Sequence, residues 1–420
     1  MKSLRRGRRP SPLEGIPPQV FLIAQTPYGY LHHRSQRIAD QLRDWGVPLT
    51  YVEESGGWRP YLTGRRGGLP GALGRSMKYH LSTLIELSGP PGHLPVAEGK
   101  MDIVEIPLSV PTTRFDSAPL ERWTASLFRQ TLMREVFPRR DRRLRSVALV
   151  NSPIWGMVLR KGDFDRVVYD CIDDVSLYAG LASLSRFQEY EQKLLQVSDA
   201  VIATAGSLEA HVRGLDPRIP VFRIPNGVDV EWFQESAAEG RVLPDFDTLP
   251  SPVVGYVGTI SGWMNIALAA EVAGLLPAVT FIFVGPEDPW VNLEPLKRLP
   301  NVRFLGRKPY DDVPSVIAAC RACWIPFSSG RIVERTNPIK LFEYFALGKP
   351  VVSTPMPELE PYHRRGLLGF GTSAGELAQA LEVALAEDDE HLVLRRVKVA
   401  REHSWDTLIA ELLRVLRGEA

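Results

Sequence analysis

Several things are scarce in this chain, and each scarcity excludes something. No run approaches the roughly twenty apolar residues of a membrane-spanning helix, so no segment reads as a span. Cysteine occurs only at Cys171, Cys320 and Cys323, too few for a disulfide framework and compatible with a reducing cytoplasm. Cys320 and Cys323 form a lone C-x-x-C in "VIAACRACWIPF". Without a second ligand pair to complete a four-coordinate zinc site, they read as small core residues at a helix-to-strand junction. Charge of one sign is missing too: 50 Lys and Arg face 49 Asp and Glu, which argues against a surface built for nucleic acid. Finally, the first apolar strand leads into "AQTPYGYLHH" and a later one into "GYVGTISGW". Neither has the G-x-G-x-x-G that lets a pyrophosphate approach the backbone, so a nicotinamide-dependent dehydrogenase is disfavoured.

What is present is ordinary for a globular chain of two domains: 420 residues, 44% hydrophobic and 24% charged. Basic residues concentrate in "MKSLRRGRRP" and in "RRDRRLRS" (139–146). The first has no apolar core behind it, so residues 1–18 read as a flexible basic arm rather than a signal peptide. From residue 19 onward, short apolar runs alternate with helical spacing: "QVFLIAQ", "RSQRIADQLRDWG", "LTYVEE", "SVALVNSP", "RVVYDCIDD", "SRFQEYEQKLLQVSD", "AVIATAG" and "VFRIPNGVD". Residues 55–100 are rich in Gly and Pro and resist assignment. The pattern restarts after 237–252, a stretch of linker composition, with "VVGYVGT", "VTFIFVGP", "NVRFLG", "ACWIPF" and "KPVVSTP". Strands apolar on both faces and separated by helices predict doubly wound parallel sheets. The expected layout is an N-terminal Rossmann-like domain over 19–236, a linker over 237–252 and a C-terminal Rossmann-like domain over 253–388. A helical segment, 389–420, is expected to pack back on the N-terminal domain. Ligands of such sheets bind beyond the carboxyl ends of the strands.

One stretch, "TNPIKLFEYFALGKPVVSTP" (336–355), poses a chemical problem. Asn337 suits an N-cap, Pro338 the first helical position and Gly348 the stop, predicting a helix over 338–347. Its surface is mostly apolar, yet Lys340 sits in the first turn, where the helix dipole disfavours a cation by about 0.3–1 kcal/mol. A bound anion reverses that sign. A diphosphate accepts from free backbone N–H groups and from the Lys340 ammonium together. Glu343, one turn further on the same face, then suits a ribose diol, whose hydroxyls donate to a carboxylate. The plain alternative is an i, i+3 Lys–Glu pair on a solvated rim.

These residues, with "IPNGVD" (224–229), "GYVGTISGW" (255–263) and "LPNVRFLGRKPYDDVPSVIAAC" (299–320), resemble bacterial GT-B-fold glycosyltransferases. The broad match is to glycosyltransferase family 4, and the closer one to the teichuronic-acid-biosynthesis-type and xanthan glucuronosyltransferase-like branch. It is strongest over about 250–385; the N-terminal half contributes "RSQRIADQL" and "YDCIDDVSLYAG". The resemblance implies a GT-B fold, α/β, with two Rossmann-like doubly wound domains facing each other across a cleft. It implies transfer of a sugar from a UDP- or GDP-linked donor to a hydroxyl in cell-surface polysaccharide or glycolipid synthesis, with no cofactor beyond the nucleotide-sugar co-substrate.

Residue by residue, the resemblance implies that Glu343 binds the donor ribose and Lys340 the diphosphate. Gly258 and Thr259 lie beside the phosphates, and the turn of Gly306 and Arg307 near the base. Arg335, Asn337, Pro338 and Leu341 complete the donor-side set. Two departures stand out. Arg335 occupies the place of the family's first glutamate, beside Glu334, and the usual Arg and Lys are missing from "GTISGWMNIAL". Asn226 and Gly227 read as a structural turn at the interdomain connection.

In the branch resembled, an aspartate of "YDCIDD" is the general base that takes a proton from the acceptor hydroxyl. Asp173 matches it, and Asp174 is the neighbouring candidate or a cap for the helix that follows. Asp170 and Asp173 have the wrong spacing for a metal-binding D-x-D, so no metal is expected. His32, His33 and Arg34 are candidates for the acceptor side, with exposed loop residues as the alternative. Residues 122–145, "RWTASLFRQTLMREVFPRRDRRLR", read either as a helix docking on anionic lipid or as a core-packed helix with a basic end. The first would suit a lipid-linked acceptor at the cytoplasmic membrane face. A sugar-nucleotide epimerase and a silent nucleotide-sugar-binding partner remain alternatives to the transferase.

Overall fold

Strands buried on both faces set the architecture. The computed structural model describes residues 17–24, 28, 34–55, 101–107, 118–174, 184–241, 243–246 and 248–420. In it QVFLIA, SVALV, VVGYV and TFIFV are buried at every position, as strands covered by helices must be. The chain divides into two units, residues 1–225 with 408–420, and residues 226–407.

The first unit holds β1 (Gln19–Ala24), β2 (Leu49–Ser55), β3 (Met101–Pro107), β4 (Ser146–Val150), β5 (Arg166–Cys171), β6 (Ala200–Ala203) and β7 (Val221–Arg223). They pair in parallel in the order β3-β2-β1-β4-β5-β6-β7. Val20 faces Leu49 on one side and Val147 on the other, so the strand order reverses around β1. Phe21, Phe128, Trp155, Tyr169 and Tyr190 fill the core beneath it. The 122–145 stretch is shorter as a helix than its pattern suggests. An α-helix, Ala118–Thr131, widens over Leu132–Val136 and tightens over Phe137–Arg139, where Pro138 interrupts the hydrogen-bond ladder. Phe128, Leu132 and Val136 enter the core while Met133 stays exposed.

The second unit holds β8 (Val253–Val257), β9 (Thr280–Val284), β10 (Val302–Phe304), β11 (Ala322–Ile325), β12 (Val351–Ser353) and β13 (Gly369–Phe370), parallel in the order β10-β9-β8-β11-β12-β13. Here the order reverses between β8 and β11, the place where open α/β sheets take ligands. Cys320 and Cys323 are both free and buried in this core, Cys320 at a helix end and Cys323 within β11.

The second unit opens at Asn226, upstream of the linker-like 237–252 stretch. The reason is the helix Val230–Ala238, whose Val230 and Phe233 are packed into the second core. The C-terminal helical pattern is two helices, Glu390–Glu402 and Trp405–Arg417. Between them Val228 N donates to His403 O at 3.0 Å and Trp405 N to Val228 O at 3.2 Å. The final residues, 408–420, belong to the first unit. Leu412, Leu413, Val415 and Leu416 are buried there. Arg166 Nε donates to Val415 O at 3.0 Å and Arg145 Nη1 to Arg417 O at 2.7 Å, cations placed where a helix carboxyl end favours them.

Candidate functional site

In the second unit the predicted residues gather at the carboxyl edge of the sheet, around the β8–β11 reversal. The helix of the opening puzzle spans Ile339–Ala346, one residue inside each end of the predicted 338–347. Pro338, extended at ψ 107°, is the N-cap and offers no side-chain cap. Asn337 is therefore not the cap; its side chain is diverted. Asn337 Oδ1 accepts from Asn226 N at 3.1 Å, and Asn337 O accepts from Asn226 Nδ2 at 2.7 Å. Backbone N–H groups at the helix start consequently lack a side-chain acceptor, the condition under which an anion is welcome.

Lys340 lies in that first turn. Its ammonium sits over two aromatic faces, 5.1 Å from the Tyr256 ring centre and 5.2 Å from that of Phe327. Such contacts favour a cation without neutralising it. Gly258 passes directly beneath: a Cβ there would come within 3.0 Å of Lys340 Nζ. Among the described residues Lys340 makes no ion pair, so the rim pair with Glu343 does not form. Glu343 is instead buried, at 8% exposure, with Oε1 accepting from the Tyr310 hydroxyl at 3.1 Å.

The loop after β8 is tied to this helix. Val257 N donates to the Tyr344 hydroxyl at 2.9 Å, and the Tyr256 hydroxyl donates to Thr259 O at 2.7 Å. Burial pushes the Tyr344 phenol well above its ordinary pKa, so it stays a neutral hydrogen-bonding group. Gly258 (φ 140°) and Gly285 (φ 150°) occupy backbone conformations that side chains rarely adopt. Gly258 N donates to Val284 O at 2.8 Å and Gly285 N to Gly306 O at 2.9 Å. Three glycines thus follow three adjacent strands and keep the sheet edge low.

The remaining donor-side predictions sit around this edge. Leu341 is fully buried and serves the core; Arg335 is half-buried after the short helix Arg331–Glu334; Arg307 is exposed after Gly306. Gly285, Tyr256, Phe327, Tyr344 and Tyr310 were not singled out from sequence. Only Gly285 had a local signal, since "VTFIFVGP" repeats the strand-then-glycine pattern of "VVGYVGT".

In the first unit, Asp173 and Asp174 lie just past the end of β5. Asp173 has no hydrogen-bond or ion-pair partner among the described residues, and burial, reinforced by the Asp174 carboxylate, pushes its pKa up to about 6. Asp174 is buried. Asp170 has a different fate. Arg34 Nε lies 3.1 Å from Asp170 Oδ2, and Arg34 Nη1 donates to Pro225 O at 2.7 Å. Arg34 is 4% exposed, and its guanidinium is hydrogen-bonded within the first unit. His32 and His33 lie outside the described residues. Among those described, no group of three His, Cys, Asp or Glu side chains is arranged to hold a metal ion, and no helix is long and apolar enough to cross a membrane.

Comparison with known proteins adds three findings. Residues 251–387 match the family profile described as Glycosyl transferases group 1. TuaH of Bacillus subtilis (strain 168), assigned to teichuronic acid biosynthesis as a glycosyltransferase, is 27% identical over 267 residues, 60% of this chain and 66% of TuaH. The aligned part thus spans just under two thirds of that relative. Among solved structures, HepE of Anabaena, crystallised with UDP and glucose, superposes with a TM-score of 0.59 at 16% identity, covering 95% of this chain and 99% of HepE. Sucrose-phosphate synthase of Thermosynechococcus elongatus gives 0.65 at 16% identity, covering 96% and 98%. At these identities the structural likeness speaks for the fold.

Proposed function

We propose, from the premise that the second unit carries a glycosyl transferases group 1 domain in a chain of GT-B fold, that this protein is a glycosyltransferase using a nucleoside diphosphate sugar. The observation that carries the proposal is the Lys340 ammonium, lodged over Gly258 at the start of an apolar helix without a carboxylate partner among the described residues. In this reading the diphosphate accepts from the helix amino end and from Lys340, and the ribose hydroxyls donate to Glu343. Gly258 and Thr259 border the phosphates, and Arg307 the base.

The reaction follows from charge placement. An acceptor oxygen bonds to the anomeric carbon as the bond from that carbon to the diphosphate oxygen breaks. Asp173, whose pKa of about 6 makes it a stronger base than an ordinary carboxylate yet leaves it ionised at physiological pH, takes the acceptor's proton. The leaving diphosphate's growing negative charge is met by Lys340 and the helix dipole, so no divalent ion is called for. A single displacement of this kind inverts the anomeric centre.

UDP is the first donor nucleotide to test, because HepE was crystallised with UDP; GDP is the second. Cell-surface polysaccharide or glycolipid is the acceptor class, by likeness to TuaH. Free nucleoside diphosphate released only when acceptor is present supports the transferase. Donor interconverted without acceptor would instead mark an epimerase, and binding without turnover a silent partner.

A lipid-linked acceptor and contact with an anionic membrane at the cytoplasmic face form part of this reading. The basic 139–146 stretch divides in two. Arg139 pairs with Glu135, while Arg140 stacks on Phe137 at 4.4 Å; Arg142 and Arg143 are exposed. Co-sedimentation with phosphatidylglycerol vesicles should therefore fall in the double variant Arg142→Glu with Arg143→Glu, and undiminished sedimentation removes the membrane component.

A further inference from the structure

We propose that Tyr310 is a positioning residue for the donor's ribose, its phenol holding the Glu343 carboxylate in the orientation that receives the sugar hydroxyls. The inference rests on the reading of Glu343 as the ribose acceptor. Tyr310 opens the tight turn Tyr310–Asp312, and its hydroxyl donates to Glu343 Oε1 at 3.1 Å. The ring has no room to wander. It lies flat on Trp232, with centres 5.1 Å apart and planes at 3°, and meets the edge of Phe233 at 6.1 Å and 82°. Trp232 and Phe233 belong to the helix Val230–Ala238, whose amino end is fixed by Asp229 Oδ1 accepting from Trp232 N at 3.1 Å.

The chemistry of a phenol suits this task. A carboxylate carries several rotatable bonds, and a ribose diol needs its oxygens in one place. A lysine or arginine partner would fix it but also cancel its charge. A tyrosine donates a proton and brings no charge of its own, so this contact orients the carboxylate without neutralising it. The same segment steadies the helix at both ends, through Asn226 on Asn337 and through Gln234 Nε2 donating to Ala346 O at 3.0 Å. Tyr310 is its contact with the functional face.

Tyr310→Phe keeps the ring stack and removes only the hydroxyl. UDP and 2′,3′-dideoxy-UDP are titrated calorimetrically into wild type, Tyr310→Phe and Glu343→Ala. Tyr310→Phe should weaken UDP by about fivefold to tenfold and leave the dideoxy nucleotide unchanged, since that nucleotide offers the carboxylate nothing to hold. Equal loss with both nucleotides, or no loss with either, overturns the proposal, because a merely structural role moves both alike. Glu343→Ala binding UDP as wild type does would instead overturn the ribose reading itself. GDP and its dideoxy form take their place if wild type binds GDP and not UDP; binding of neither sinks reading and proposal together.

Discussion

Two aspartates three positions apart in one segment show how environment assigns roles. Asp170 is buried against Arg34 and is part of the scaffold. Arg34→Ala should leave that carboxylate charged and unmatched in the interior, costing about 3–5 kcal/mol in urea denaturation. Asp173 lacks such a partner among the described residues, and its pKa rises from 3.8 to about 6. A folded-state pKa above the unfolded one means stability present below pH 3.8 and lost as pH climbs through 6. Asp173→Asn should therefore stabilise the protein at pH 7 by up to about 3 kcal/mol, with the gain vanishing toward pH 3.5, while turnover disappears and nucleotide binding survives. The proposed base must be ionised to act, so wild-type turnover should fall as pH drops through about 6. Retained turnover in Asp173→Asn would remove the base assignment. On the donor side, Lys340→Ala should weaken UDP more than about tenfold and leave uridine, which has no phosphates, unaffected.

At the scale of elements, the sheet edge depends on glycines that are not equivalent. A Cβ on Gly285 would overlap the Gly258 carbonyl oxygen, and φ is 150° there. Gly306, at φ 63°, has nothing within 4 Å of a Cβ. Gly306→Ala should then cost only about 1–2 kcal/mol of backbone strain, whereas Gly285→Ala must displace the β8 loop and should cost more. Urea midpoints of the two variants check the ranking. What could be read in advance follows the same division. Lys340 and Glu343 stood out because a cation at a helix start contradicts the dipole locally. Tyr310 could not stand out, being 33 positions from Glu343, nor could Arg34 with Asp170, 136 positions apart. Asn337 misled for the same reason: a good local cap was drawn away by a distant partner, Asn226.

For the molecule as a whole, two parallel sheets were legible because apolar runs recur at regular spacing. The edge strand β3, behind the Gly- and Pro-rich stretch, was not, and neither was the opening of the second unit at Asn226, which a helix packed on that core decides. With UDP bound, amide hydrogen exchange should slow over 257–259 and 337–346, and remain unchanged in β1 to β4; slowing confined to the first unit would displace the donor site. The chain also leaves its first unit at Pro225 and returns to it at Leu408. During synthesis, then, the unit that emerges first from the ribosome waits for its last helix until the other unit has already been translated. Clipping those closing residues would wound the opening half of the protein, leaving it with bare apolar surface while the second unit is spared.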